Sequence, residues 1–325
     1  MAKWTNFPNG ITSLGIPTFG TGGLPPFTGN YFFVQETYTA GVSAGAGTAK
    51  SPFNTISQAL AKCVSGNNDV IFLIGTVHVT SSITWNLNNT HLVGVCDPVK
   101  RGKRARISVS GSIPFSYLFN VTANGCYFTN FQTFYGFSTV GATTPICWLD
   151  TGGRNCYDNV EFLGFGDATV STGTANQTTA RAFKLNTNVG ETTWRQCVFG
   201  VDTEQRGATN YTLEIAGAAP RCSLIDCDFE ADLGSSGTAS SHVLVGVGGI
   251  DRYLIATGCH FMNSTLSGGS AMAQCFNVNA SAGGVVLLDR STAFGITAWE
   301  TTPSGSVYIN MGAVSAPGGG ISLVL

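Results

Sequence analysis

Charge is scarce in this chain. Only 10% of its 325 residues are Asp, Glu, Lys or Arg, against about 25% in an average soluble domain. Long surface helices need such residues to solvate their outer faces, so a helical architecture is excluded. The net charge of −2 gives no general attraction to nucleic acid or to an anionic membrane. Long apolar runs are also missing. The best, Val70 to Val79, falls short of the roughly 18 residues that a membrane span requires. The opening Met1-Ala2-Lys3-Trp4-Thr5-Asn6-Phe7-Pro8 has no apolar stretch of the kind a secretion signal carries, so synthesis in the cytosol and a soluble product are expected. No Gly-x-Ser-x-Gly elbow, phosphate loop or dinucleotide fingerprint occurs. The ten cysteines form no Cys-x-x-Cys pair and no Cys/His metal spacing, and cytosolic synthesis favours free thiols. No catalytic, cofactor-binding or metal-ligating residue is assigned on these grounds, and no cofactor is expected.

Glycine and phenylalanine are abundant instead. There are 42 glycines, and the 21 phenylalanines outnumber the 16 lysines and arginines. Hydrophobic residues make up 43% and mean hydropathy is +0.17, enough to bury a core and to exclude disorder. These proportions describe a turn-rich, β-rich protein.

Residues 1–30 form a distinct zone, punctuated by Asn9-Gly10, Gly20-Thr21-Gly22-Gly23 and Pro25-Pro26, with Trp4, Phe7, Ile16, Phe19 and Phe27 between. No period survives there, which predicts an extended arm folded on its own subunit or gripping a neighbour. Tyr31-Phe32-Phe33-Val34 reads as a strand. Ser51-Pro52-Phe53 opens a helix over about 51–64, with Phe53, Ile56, Ala59, Leu60 and Val64 at helical spacing. Asp69 to Gly75 is a buried-type strand, and short strands follow at Val77–Val79, Ile83–Trp85 and His91–Val93.

A repeat then sets the fold. Asn159-Val160-Glu161-Phe162, Gln196-Cys197-Val198-Phe199, Asp226-Cys227-Asp228-Phe229, Gly258-Cys259-His260-Phe261 and Thr292-Ala293-Phe294 align, with successive phenylalanines 37, 30, 32 and 33 residues apart. Asn130-Phe131-Gln132-Thr133 fits poorly before them, and Tyr308 to Val314 forms a weaker unit after. Periods of this size with strands and turns but no helix signal a stacked solenoid. Alternation puts Cys and Phe on one face and the residue between them on the other. The expected fold is all-β: a right-handed parallel β-helix over residues 31–314, with a short amino-terminal capping helix, an extended arm (1–30) and a tail (315–325).

Tyr31 to Val34, Ser51-Pro52-Phe53-Asn54-Thr55-Ile56-Ser57-Gln58-Ala59-Leu60-Ala61 and Asn68 to Val79 together resemble the entry of right-handed β-helix proteins of the pectin-lyase-like class. This variant is most similar to the β-helix virion proteins of tailed bacteriophages, and Asn6-Phe7-Pro8-Asn9-Gly10-Ile11-Thr12-Ser13 resembles the start of phage head-region structural proteins. The resemblance implies a non-enzymatic homotrimeric virion component, made in the host cytoplasm and placed on the particle surface. It would act as a capsid decoration or cement protein that contacts the major capsid protein or other virion proteins through the arm. The chain is short and its last rung runs almost directly into Pro317-Gly318-Gly319-Gly320, which favours the head over a tail spike. The alternative is a spike or fibre that binds or depolymerises a host surface polysaccharide. Neither nucleic acid nor membrane is an expected partner.

Two charged clusters stand out. Asp226, Asp228, Glu230 and Asp232 alternate along one strand, about 7 Å apart. That spacing is compatible with the roughly 6.5–9.5 Å of an inverting carboxylate pair. In the stacked register Asp228 would lie beside His260. A polar outer face needs such residues in any case, and that reading is preferred. Lys100-Arg101-Gly102-Lys103-Arg104-Ala105-Arg106 holds five of the sixteen basic residues and suits either a subunit contact or a solvated loop. His78 and His91 lack ligand spacing and read as structural. Trp148, Trp194 and Trp299 could stack on sugars, but burial is the commoner fate of such residues.

Overall fold

The computed structural model describes residues 12–13, 16–17, 28–36, 45–110, 114–141, 143–169, 173–234, 239–264, 269–279, 284–300 and 307–309. Of the arm, only Thr12–Ser13 paired antiparallel with Ile16–Pro17 and residues 28–30 are among these, and the tail lies outside them. Three long parallel sheets of ten, eight and seven strands wrap one interior, and the central turns of the chain each give one strand to each sheet. Tyr127–Thr129 lies in the ten-stranded sheet, Gln132–Phe134 in the eight-stranded and Ile146–Asp150 in the seven-stranded. Cys156–Asp158 then returns to the first, in register on Tyr127–Thr129. This is a parallel β-helix, as the repeat predicts.

The corner from the ten- to the eight-stranded sheet is the tightest. Asn130, Asn159, Gln196, Asp226, Gly258 and Arg290 occupy it at successive turns, all at positive φ. Asparagine tolerates that region because its short amide can bond locally. Here Asn130 Nδ2 donates to the carbonyls of Gly94 and Cys96, and Asn159 Nδ2 donates to Asn130 Oδ1 at 3.1 Å.

Inside, the alternation predicted for the repeat is realised. Phe162, Phe199, Phe229 and Phe261 stack with ring centroids 5.2, 4.8 and 4.6 Å apart. Cys197, Cys227 and Cys259 are buried beside them. Asn130-Phe131-Gln132-Thr133 fits the pattern poorly because Thr133, not an aromatic residue, pairs with Phe162, and its hydroxyl donates to Glu161 O at 2.9 Å.

The last unit departs from expectation. Ala293 pairs with Phe261, while Phe294 pairs with Met262 and stands 68% exposed. The hydrogen bond from Thr292 N to Cys259 O fixes this register, and a shift of one residue turns a side chain to the opposite face.

The amino-terminal end is covered by a helix shorter than expected, Ile56–Leu60, which starts in a capping box between Thr55 and Gln58. Phe53 is instead held by a bridge to Val34. Ile56, Ala59 and Leu60 face the core, whereas Val64 is exposed.

Candidate functional site

The two charged clusters of the sequence are each other's partners. Where later turns pass from the ten- to the eight-stranded sheet by one tight corner, residues 95–105 form a longer loop between His91–Gly94 and Arg106–Val109. This loop climbs over the outer face of the eight-stranded sheet. The strands beginning at Arg106, Gln132, Glu161, Val198 and Asp228 are consecutive there, so the strap reaches across four strand spacings, about 19 Å. Lys100 Nζ lies 2.8 Å from Asp228 Oδ1 and Arg101 Nη2 lies 2.6 Å from Asp228 Oδ2, while Arg101 Nε bonds Glu230. Lower down, Lys103 Nζ lies 3.2 Å from Glu161 Oε1.

Three of the four carboxylates are therefore not on a solvated face, whereas Asp226 at the corner is exposed. Asp228, Glu230 and Asp232 are 3%, 8% and 6% exposed. Burial, together with the nearby charges of Asp202 and Asp228, pushes the Glu230 carboxyl above its ordinary range. Asp228 does pair in register with His260, but its oxygens go to the strap and His260 Nδ1 faces Thr292 Oγ1 at 2.8 Å. Neither cluster is left as an open catalytic pair or a free basic patch, although Arg104 remains exposed.

The other sequence candidates are structural. His91 is buried, and its Nδ1 accepts from Tyr127 N–H at 3.0 Å. That bond requires neutral imidazole, and burial lowers the His91 pKa to about 4. His78 pairs with Glu36 at 2.9 Å. Trp148 and Trp194 are fully buried in the aromatic core and Trp299 packs against it, so none of the three forms a sugar platform. All ten cysteines are free, and burial raises the thiols of Cys63 and Cys147 to about 12. Among the described residues no cluster of His, Cys, Asp and Glu could hold a metal ion, and no helix is long and apolar enough to cross a membrane.

An open concavity lies elsewhere, on the outer face of the ten-stranded sheet. In each strand the inward residue is large: Phe128, Tyr157, Trp194 and Leu224. Its neighbours point out by alternation. Tyr127, Cys156 and Thr193 form one outward row, and Asp158, Arg195 and Ile225 form the next. Tyr127, Cys156, Thr193 and Ile225, with Arg154 and Arg195 at the rim, enclose a trough of about 500 Å³. A second, more polar hollow of about 250 Å³, lined by Asn124, Asn188, Glu191 and Pro220, continues from it around the corner, and Arg154 lines both.

The side chains of this groove are held in place. Asp158 Oδ2 accepts from Tyr127 OH at 2.8 Å and from Arg195 Nη2 at 2.5 Å, which fixes the tyrosine ring over the floor. Glu191 accepts from Arg154 Nε at 2.6 Å and from Arg221, and these bonds lower its pKa to about 2. Each rim arginine gives one guanidinium nitrogen to a carboxylate, and among the described residues its other guanidinium N–H groups take no partner. The residues of this groove lie outside the conspicuous clusters of the sequence. Their signal was the outward position on either side of each inward aromatic.

No protein-family model matches the sequence, and neither does any curated protein. Solved structures do match in fold. Pectin methylesterase PemA from Erwinia chrysanthemi superposes with a TM-score of 0.56 at 13% identity, covering 88% of this chain and 90% of that one. A pectin methylesterase variant in complex with a hexasaccharide gives 0.56 at 12%, with the same coverage. Pectate lyase Pel9A gives 0.57 at 15%, covering 86% of this chain and 68% of that one. These likenesses establish the right-handed parallel β-helix of the pectin-lyase-like class. They also correct one expectation. The resemblance to virion proteins implies a non-enzymatic component, yet the structures that share this fold over most of the chain's length are pectin methylesterases and a pectate lyase, so the expectation of no enzymatic action does not stand.

Proposed function

We propose that this protein is a polysaccharide-binding or polysaccharide-processing β-helix, and that the glycan lies in the groove centred on Arg154. The groove itself carries the reading. It spans four consecutive strands of one sheet, offers a half-buried tyrosine floor, and is rimmed by arginines with unused donors. Such a combination of apolar floor and few convergent polar groups is how sugars and similar ligands are held. The named substrates of the fold neighbours support the same class of ligand.

We place the protein on a tailed-phage particle. The resemblance of residues 31–95 to β-helix virion proteins supports this setting, with a trimer attached through residues 1–30. Capsid decoration and host-glycan engagement are compatible roles for such a component.

Affinity electrophoresis against a panel of bacterial and plant polysaccharides, with release of reducing ends and of ester groups followed in parallel, tests the reading. At least one polysaccharide should retard the wild-type chain. Arg154→Ala and Tyr127→Ala should each weaken that retardation about tenfold, the worth of one good contact. Retardation unchanged in both variants would place the glycan elsewhere.

A further inference from the structure

Beneath the strap, three chemically matched side chains are sealed from solvent. Lys103 is 0% exposed, Glu161 2% and Gln132 8%. Gln132 and Glu161 are register partners on adjacent strands, and Gln132 Nε2 donates to Glu161 Oε2 at 3.1 Å. Lys103 comes down from the strap onto the other oxygen. Its Nζ lies 3.2 Å from Glu161 Oε1, and its backbone N–H donates to the same atom at 3.1 Å. One carboxylate thus holds an amine on one oxygen and a primary amide on the other.

We propose that Lys103 and Gln132 join in an intramolecular isopeptide bond, with Glu161 moving the protons. The reaction needs no co-reactant. The Lys103 ammonium passes a proton to Glu161, and the freed Nζ lone pair attacks Gln132 Cδ, forming the new C–N bond. Glu161 donates its proton to Nε2 and takes one from Nζ as the old C–N bond breaks. Ammonia departs and can carry away the last proton as ammonium, leaving a secondary amide and the Glu161 carboxylate.

Two features of the site favour this chemistry. Burial shifts the Lys103 amine toward its neutral, nucleophilic form, an effect that Glu161 opposes only in part. Holding both groups on one buried carboxylate makes the aminolysis intramolecular, and the amine has only to leave its bond to the Lys100 carbonyl, 2.7 Å away, to turn toward Gln132. The product would fix the strap covalently to the sheet it covers.

Mass spectrometry of the denatured full-length chain decides the matter. The wild-type protein should be lighter than its sequence by one ammonia, and digestion should yield a branched peptide linking Lys103 to Gln132. Glu161→Gln, which retains a hydrogen-bonding side chain, and Gln132→Ala should both restore the sequence mass and leave Lys103 open to trypsin. Full sequence mass in the wild type, with Lys103 and Gln132 in separate unmodified peptides, would overturn the proposal. So would a missing ammonia that persists in Gln132→Ala. The primary reading is on the wild-type chain and does not depend on either variant folding.

Discussion

Phe229 and Phe294 occupy equivalent places in the sequence repeat, yet their truncation should have very different consequences. Phe229 is fully buried, stacked between Phe199 and Phe261 at 4.8 and 4.6 Å, with the His242 ring edge-on at 5.8 Å. Phe229→Ala removes a core aromatic and leaves a cavity that the rigid rungs above and below cannot close, at about 3–5 kcal/mol. The lost stacking on two sides puts the effect toward the top of that range. Phe294 points outward and is 68% exposed, so Phe294→Ala should stay within about 0.5 kcal/mol. At about 2 °C per kcal/mol for a chain of this size, the thermal midpoint should fall by roughly 6–10 °C in the first variant and by about 1 °C in the second. Circular dichroism on both, scanned at one rate, is sufficient. Equal shifts would refute the register assigned to the last turn, and a small shift for Phe229→Ala would refute the ladder.

Acid should weaken the fold through His91. Its pKa falls from 6.5 to about 4 on folding, so the unfolded chain binds the extra proton first. Stability should be fully present above pH 6.5, and the His91 share of it, roughly 3 kcal/mol, should be lost as pH drops to 4. Urea titration at each pH should show His91→Gln losing that much less than the wild type, with buried His242, also held below its ordinary range, keeping its own acid dependence in both. In the strap, Arg101→Ala leaves the buried Glu230 carboxylate without its arginine and buried Asp228 with Lys100 alone, whereas Asp228→Ala leaves only half-exposed cations, with Arg101 still on Glu230. The first should therefore cost more, about 3 kcal/mol, and the double variant should show a coupling of about 1 kcal/mol or more. The seven buried thiols predict slow labelling at those positions in the native chain by a thiol-disulfide reagent at neutral pH, with half-buried Cys63, Cys96 and Cys156 reacting ahead of them and all ten cysteines reacting promptly once the chain is unfolded. Rapid native labelling of Cys147 or Cys227 would contradict their place in the core.

The architecture was legible because a β-helix writes itself as a local period. A buried phenylalanine recurs two residues after a small inward side chain, and corner residues suited to positive φ precede it. The exception at Phe294 shows the limit of that signal, since a period of about thirty residues tolerates a slip of one and only the backbone pairing reveals it. The site was less legible for a different reason. Lys100–Arg106 and Asp226–Asp232 are conspicuous as clusters, but they are more than a hundred residues apart, and nothing local shows that one folds across the other. Their mutual neutralisation is a property of the long corner loop, whose path depends on the sheet beneath it. The groove residues, by contrast, are ordinary in type. Tyr127, Arg154 and Arg195 acquire meaning only when consecutive turns bring them side by side.

Hydrogen–deuterium exchange, with and without the polysaccharide that most retards the protein, locates the bound glycan. Slowed exchange is expected at Gly125–Tyr127, Arg154–Cys156 and Thr193–Arg195, with no change beneath the strap at Asp228–Leu233. Protection on the outer faces of the other two sheets, with the Arg154 groove unaffected, would contradict that location.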